Sequence, residues 1–201
     1  LKPDLSAYVY STVFGKGDKY PDISPTAFLV DRCQNVYVAG WGGGIEIEGR
    51  GSNSAKYNNS GTTGLSVTPD AIQKSTDGSD FYFFVMKRDA TAQLFGSYFG
   101  QNGGLGDHVD GGTSRFDRQG VIYEAICANC YGGATFPTTP GVWAIRNGTG
   151  RLGCNLAAVK IAFNFAGGGA DPGSMVNGRY ESSGCVPLDV LFIDTMDDAK
   201  K

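Results

Sequence analysis

A chain of 201 residues with 41% hydrophobic content can bury a core of ordinary domain size. Its 31 glycines, 12 phenylalanines and 10 tyrosines, set against only 18% charged residues, favour turns and aromatic strands over surface helices and read as all-β. The net charge of -3 with singly scattered Lys and Arg excludes a phosphate-neutralising face and so nucleic acid, and no apolar run reaches the ~20 residues of a membrane span.

The chain opens at Leu1 with neither Met nor a signal pattern, so a processed piece of something longer is expected. Val9-Tyr10-Ser11-Thr12-Val13-Phe14-Gly15 alternates as a strand and ends in glycine. Phe28-Leu29-Val30-Asp31-Arg32 and Val36-Tyr37-Val38-Ala39 flank the polar turn Cys33-Gln34-Asn35 and predict a hairpin. Gly42-Gly43-Gly44 through Gly64 is rich in Gly, Ser and Asn, a surface loop. Thr68-Pro69-Asp70-Ala71 follows, and Phe81-Tyr82-Phe83-Phe84-Val85-Met86-Lys87 closes the unit as a strand.

The same order then returns. Leu94-Phe95-Gly96-Ser97-Tyr98-Phe99-Gly100 repeats the first strand, Ser114-Arg115-Phe116-Asp117-Arg118 and Val121-Ile122-Tyr123-Glu124-Ala125 repeat the hairpin around Gln119-Gly120, Thr139-Pro140-Gly141-Val142 repeats the Thr-Pro segment, and residues 156–163 repeat the closing strand. Two units, about 1–90 and 91–165, thus offer about four strands each, the content of a propeller-type four-stranded blade with a long insertion. Two blades cannot close a ring of four or more. Residues 166–183 have the composition of a Gly-rich linker, and strand character resumes over 186–194.

Five cysteines, Cys33, Cys127, Cys130, Cys154 and Cys185, are an odd set, which implies one thiol left over or a partner beyond the chain. Cys127-x-x-Cys130 is the kind of pair that serves redox chemistry or half a zinc site. Its second half is thin, with Cys154 standing 24 residues on and His108 the one histidine. The expectation is at least one structural disulfide among Cys127, Cys130 and Cys154, with the other cysteines as reduced core thiols.

For catalysis the best local cluster is Asp107-His108-x-Asp110 with Asp117 near in sequence, yet Asp in a Gly-rich loop more often caps turns, and no nucleophile or metalloprotease motif exists. A non-enzymatic chain without a required cofactor is expected. The same loop has the oxygen-rich chemistry that suits Ca²⁺, without the Asp-x-Asp-x-Asp-Gly spacing. Trp41, before three glycines, and Trp143, after Pro140-Gly141, are candidate sugar-stacking platforms, or else core residues of each unit. With Asp107 and Asp110 they form the candidate ligand-binding set.

The blocks Tyr10-Ser11-Thr12-Val13-Phe14-Gly15, Asn35-Val36-Tyr37-Val38-Ala39-Gly40-Trp41 and Phe136-Pro137-Thr138-Thr139-Pro140-Gly141 resemble bacterial β-propeller repeats, in the versions found in gliding-motility-associated surface proteins of Bacteroidetes exported by the type IX system. Residues 184–201, with Gly184-Cys185-Val186-Pro187-Leu188-Asp189-Val190-Leu191-Phe192-Ile193-Asp194-Thr195, resemble the opening strands of a PKD domain, an immunoglobulin-like sandwich; any partner of Cys185 would then stand beyond Lys201. Asp194-Thr195-Met196 is similar to the O-glycosylation motif of the same phylum, with Thr195 the acceptor. The resemblance implies an extracellular structural or adhesive module whose partners are other domains of one large surface protein, neighbouring surface proteins or glycans. A carbohydrate-binding module attached to a polysaccharide-degrading enzyme is the alternative.

Overall fold

The computed structural model describes residues 1–17, 20–43, 61–103, 106–109, 112–128, 130, 136–146, 148 and 153–163, together with the backbone of short pairings between 168 and 192. Two open antiparallel sheets carry the fold. The first contains β1 (Ser24–Val30), β2 (Val36–Trp41), β3 (Phe81–Met86) and β4 (Gln93–Phe99) in that order. The second contains β5 (Ser114–Phe116), β6 (Val121–Ala128) and β7 (Asn155–Ala162), again in chain order. Among the described residues the helical content is one 3-10 turn, Arg88–Ala90. Further along, the backbone of Gly168–Gly169 pairs with Ser183–Gly184, and Ser174–Val176 lies between Arg179–Tyr180 and Leu191–Phe192.

The composition of β3 determines its place. Phe81-Tyr82-Phe83-Phe84-Val85 is an unbroken apolar run, and such a run suits a strand covered on both faces; all five residues are buried. On one face Phe81, Phe83 and Val85 join Tyr37, Ala39 and Phe95 against Ile122, Ile126, Val159 and Phe163 of the second sheet, in a single core. Phe83 and Phe95 both pack on Phe163, with ring centroids 5.7 and 5.1 Å apart. On the other face Tyr82, Phe84 and Tyr98 gather around Leu65. Here Phe14 stacks on Phe84 at 4.2 Å, and the chain from Gly61 onward lies over the sheet.

That covering stretch is bonded as well as packed. The Tyr98 hydroxyl donates to Leu65 O at 2.6 Å and the Tyr82 hydroxyl to Ser66 O, so two buried phenols keep partners. The amides of Thr68 and Tyr98 bond Gly96 O and Gln73 O at 3.0 and 3.1 Å, which sheathes the outer edge of β4. Thr68-Pro69-Asp70-Ala71 turns within it, closed by Ala71 N to Thr68 O at 3.0 Å.

The second sheet is half-buried. Along β6, Ile122, Glu124, Ile126 and Ala128 point to the core while Tyr123 and Ala125 face outward, the period of two expected of a sheet with one wet face.

Both hairpins form where the repeat places them, and their turns match bond for bond. Asp31 Oδ1 accepts from the amides of Cys33 and Asn35 at 2.8 and 2.9 Å. Asp117 Oδ1 accepts from Gln119 and Val121, both at 2.9 Å. In each, the fourth residue of the turn takes a left-handed φ, 64° at Gln34 and 77° at Gly120. Glycine bears this freely and glutamine at a cost.

Two expectations need correction. Residues 9–15 form no strand and are largely exposed. Their counterpart β4 pairs with β3, the closing strand of the first unit, whereas residues 9–15 pair with no strand among the described residues. The four-stranded sheet therefore runs across the repeat boundary, and the second sheet has three strands among the described residues.

The Asp turns differ in what they hold. Asp31 Oδ2 also accepts from Asn35 Nδ2 and the Tyr37 hydroxyl, both at 3.0 Å and both buried, whereas Asp117 is partly exposed. Asp31→Ala leaves buried donors unpaired and should cost about 3 kcal/mol or more, and Asp117→Ala about 1 kcal/mol. Urea unfolding of the two variants checks this, and equal losses would contradict the assignment.

Candidate functional site

The polar residues converge where the two sheets meet. Residues 106–109 cross from one sheet to the other: the Asp107 amide bonds Ser79 O at 3.1 Å, while His108 and Cys127 exchange both backbone bonds, at 3.0 and 2.9 Å. Gly106 is required in this crossing. Its φ is 84°, and a Cβ there would stand 2.3 Å from Ser79 O, closer than any side chain tolerates.

Asp107 itself is turned inward. Its Oδ2 accepts from the Gln101 amide at 2.9 Å and its side chain is buried, which is turn capping of the kind an Asp in a Gly-rich loop performs. Asp80 lies beside it across Gly100, where a Cβ would meet Asp80 Oδ1 at 2.3 Å and Asp107 Oδ2 at 2.7 Å. Asp80 Oδ1 and Gln101 Oε1 are buried without a hydrogen-bond partner. Burial, reinforced by the nearby Asp77 charge, raises the Asp80 carboxyl to about 6.

Beside these carboxylates lies a sulfur and imidazole cluster. Cys130 and Cys154 form a disulfide with Cα atoms 4.1 Å apart, one of the bonds expected among the three neighbouring cysteines, and Cys127 keeps its thiol. His108 Nδ1 lies 3.7 Å from Cys130 Sγ. Cys33 corrects the reading of reduced core thiols, since it too is disulfide-bonded. It occupies the second turn position after Asp31, at the surface end of the hairpin.

The two tryptophans part company. Trp41 ends β2, half-buried against the shared core, with its ring 5.7 Å from that of His108, so it packs as a core residue. Trp143 is wholly exposed, at 102% of its reference surface, and Val142 and Ile145 beside it are exposed as well. The segment that presents it is anchored by Phe136, edge-on to Phe99 at 5.4 Å. The structure thus brings Asp107, His108 and Trp41 together and leaves Trp143 apart; Asp110 and Thr195 lie outside the described residues, as does Cys185.

Glu124 went unremarked in the sequence. It occupies an inward position between Ile122 and Ile126, and both carboxylate oxygens are buried without a partner. The Ser114 hydroxyl opposite it on β5 eases the position without a hydrogen bond of normal geometry. Burial therefore raises the carboxyl to about 7. The signal for it was the alternation of β6, which places a carboxylate on the apolar face.

No protein family, no curated protein and no solved structure matches the chain. What the described residues establish is an all-β body of two antiparallel sheets with a disulfide linking the ends of β6 and β7, and no helix among them long and apolar enough to cross a membrane.

A raised carboxyl favours the folded state when protonated. Its penalty is absent below the unfolded value of 4.5 and complete once the pH exceeds about 7. Glu124→Gln should therefore gain stability over the parent as pH rises through that window, reaching about 3 kcal/mol at ~1.4 kcal/mol per pH decade. Urea unfolding at several pH values checks it, and a difference that stays constant with pH would contradict it.

Proposed function

We propose that the chain is a non-enzymatic structural or adhesive module of a larger secreted cell-surface protein, its two sheets serving as propeller-type blades. The observation that carries this reading is the contrast between a closed interior and an adhesive exterior. Asp107 and His108, the best acid–base pair of the sequence, are buried, bonded into the crossing segment and sheltered by Trp41, so they meet no substrate at the surface. The outside instead offers apolar side chains: Trp143, Val142 and Ile145 on a loop, Phe28 and Val30 on the edge strand β1, and Val13 on the N-terminal segment. Disulfides at Cys33 and Cys130 suit an oxidising compartment. Other domains of the parent protein and neighbouring surface proteins are the partners such faces fit, and residues 184–201 belong in this reading to the start of a PKD-like domain.

A second reading, a carbohydrate-binding module, is favoured by one specific feature. An indole held out at full exposure beside a proline turn offers its face to a sugar ring.

The chain displayed on a non-adherent bacterium should increase attachment of the cells to one another or to a polysaccharide-coated surface. Trp143→Ala should abolish most of that gain while changing stability by less than about 0.5 kcal/mol, since Trp143 packs on nothing. Attachment to glycan alone would select the second reading. No gain on any surface, or hydrolysis of a glycan, peptide or ester panel lost in His108→Ala, would contradict the proposal.

A further inference from the structure

We propose that His108, Cys127, Cys130 and Cys154 form a tetrahedral site for zinc, through one imidazole nitrogen and three thiolates, once the Cys130–Cys154 bond is reduced. The inference stands on the cluster's own geometry and is independent of the adhesive reading. The ligand atoms of His108, Cys127 and Cys130 all lie within 4.8 Å of one another, and His108 Nδ1 stands 3.7 Å from Cys130 Sγ. A zinc ion with Zn–S near 2.3 Å and Zn–N near 2.0 Å holds its ligand atoms on the order of 3.5 Å apart, and one His with three Cys is an ordinary structural set. The His108–Cys130 spacing is thus already close to that of a loaded site. Cys154, now bonded to Cys130, is the fourth ligand, and once released its Sγ must swing toward the other three to reach a corner of the tetrahedron.

The backbone around the cluster is arranged to keep it. His108 and Cys127 are direct antiparallel partners, so two ligands on different segments are fixed side by side, and Cys127-x-x-Cys130 brings the third around a turn. His108 and Cys130 are buried, and the Trp41 ring lies over the imidazole. Water therefore competes poorly for the ion.

The chemistry balances as follows. A dithiol reductant gives two electrons and two protons to the disulfide and becomes a disulfide itself, leaving Cys130 and Cys154 as thiols. Zn²⁺ then displaces the protons of three thiols to solvent and takes the lone pair of neutral His108. The two states exclude each other, because a sulfur held in the disulfide is not a thiolate. The disulfide joins the end of β6 to the start of β7, and the metal would tie both to His108 of the crossing segment as well. The cluster would thus hold this end of β6 and β7 together in oxidising and in reducing surroundings, by different bonds.

The test uses the full chain, reduced with a phosphine, desalted without oxygen and titrated with Co²⁺. Expected are the visible bands of tetrahedral cobalt and thiolate-to-cobalt charge transfer, saturating at one ion per chain and erased by Zn²⁺, with none in the oxidised chain. Cys127→Ser should weaken binding roughly a hundredfold or more, given that even an outer-shell partner is worth about 10–100-fold, and Cys33→Ser should bind like the parent. Reduced protein without these bands, or bands that survive Cys127→Ser or vanish in Cys33→Ser, would overturn the proposal. Should Cys127→Ser fail to fold by circular dichroism, His108→Gln, which retains every cysteine, is read instead; unchanged cobalt bands in that variant would also overturn it.

Discussion

Everything in this fold depends on β3 being apolar on both faces. A strand of Phe, Tyr, Phe, Phe and Val cannot face water on either side, so the first sheet needs two covers. The second sheet supplies one through Ile122, Ile126, Val159 and Phe163. The stretch after Gly61, together with Phe14, supplies the other. Each cover is attached by its own polar chemistry, tyrosine hydroxyls on one side and the 106–109 crossing on the other. The two sheets are thereby parts of one core rather than two separate units.

The junction carries costs that this core absorbs. Asp80 and Glu124 are carboxyls without full hydrogen bonding, and burial pushes both upward. Each is destabilising when ionised. The Cys130–Cys154 bond closes a loop between β6 and β7 of the second sheet and stabilises the fold by constraining the unfolded chain. The adhesive reading and the metal proposal share this picture: a sealed seam inside, with interaction chemistry confined to exposed aromatics and edges.

Much of this was legible in the sequence where local physics decides. The two Asp turns were readable because Asp31 and Asp117 head matching polar turns between alternating strands, and the structure reproduces their bonding. The closing strands at residues 81–87 and 156–163 were readable from composition. The fate of residues 9–15 was not, since a strand needs an edge to pair with and no local pattern reports whether one exists. Trp41 sits between glycines and Trp143 two residues after one, yet one is packed and the other wholly exposed. That difference depends on the second sheet, which pattern alone does not place. Cys127, Cys130 and Cys154 were recognised as neighbours, but the position of His108 beside them depends on the antiparallel pairing of residues distant in sequence.

The central claim, that both sheets share one cooperative core around β3, is most directly tested by native-state hydrogen exchange at increasing denaturant. If the claim holds, the buried amides of β3 and β6 exchange through the same global opening, with equal free energies and equal denaturant dependence. If β5 to β7 exchange through a smaller opening while β1 to β4 stay protected, the sheets are separate units and the shared core is contradicted.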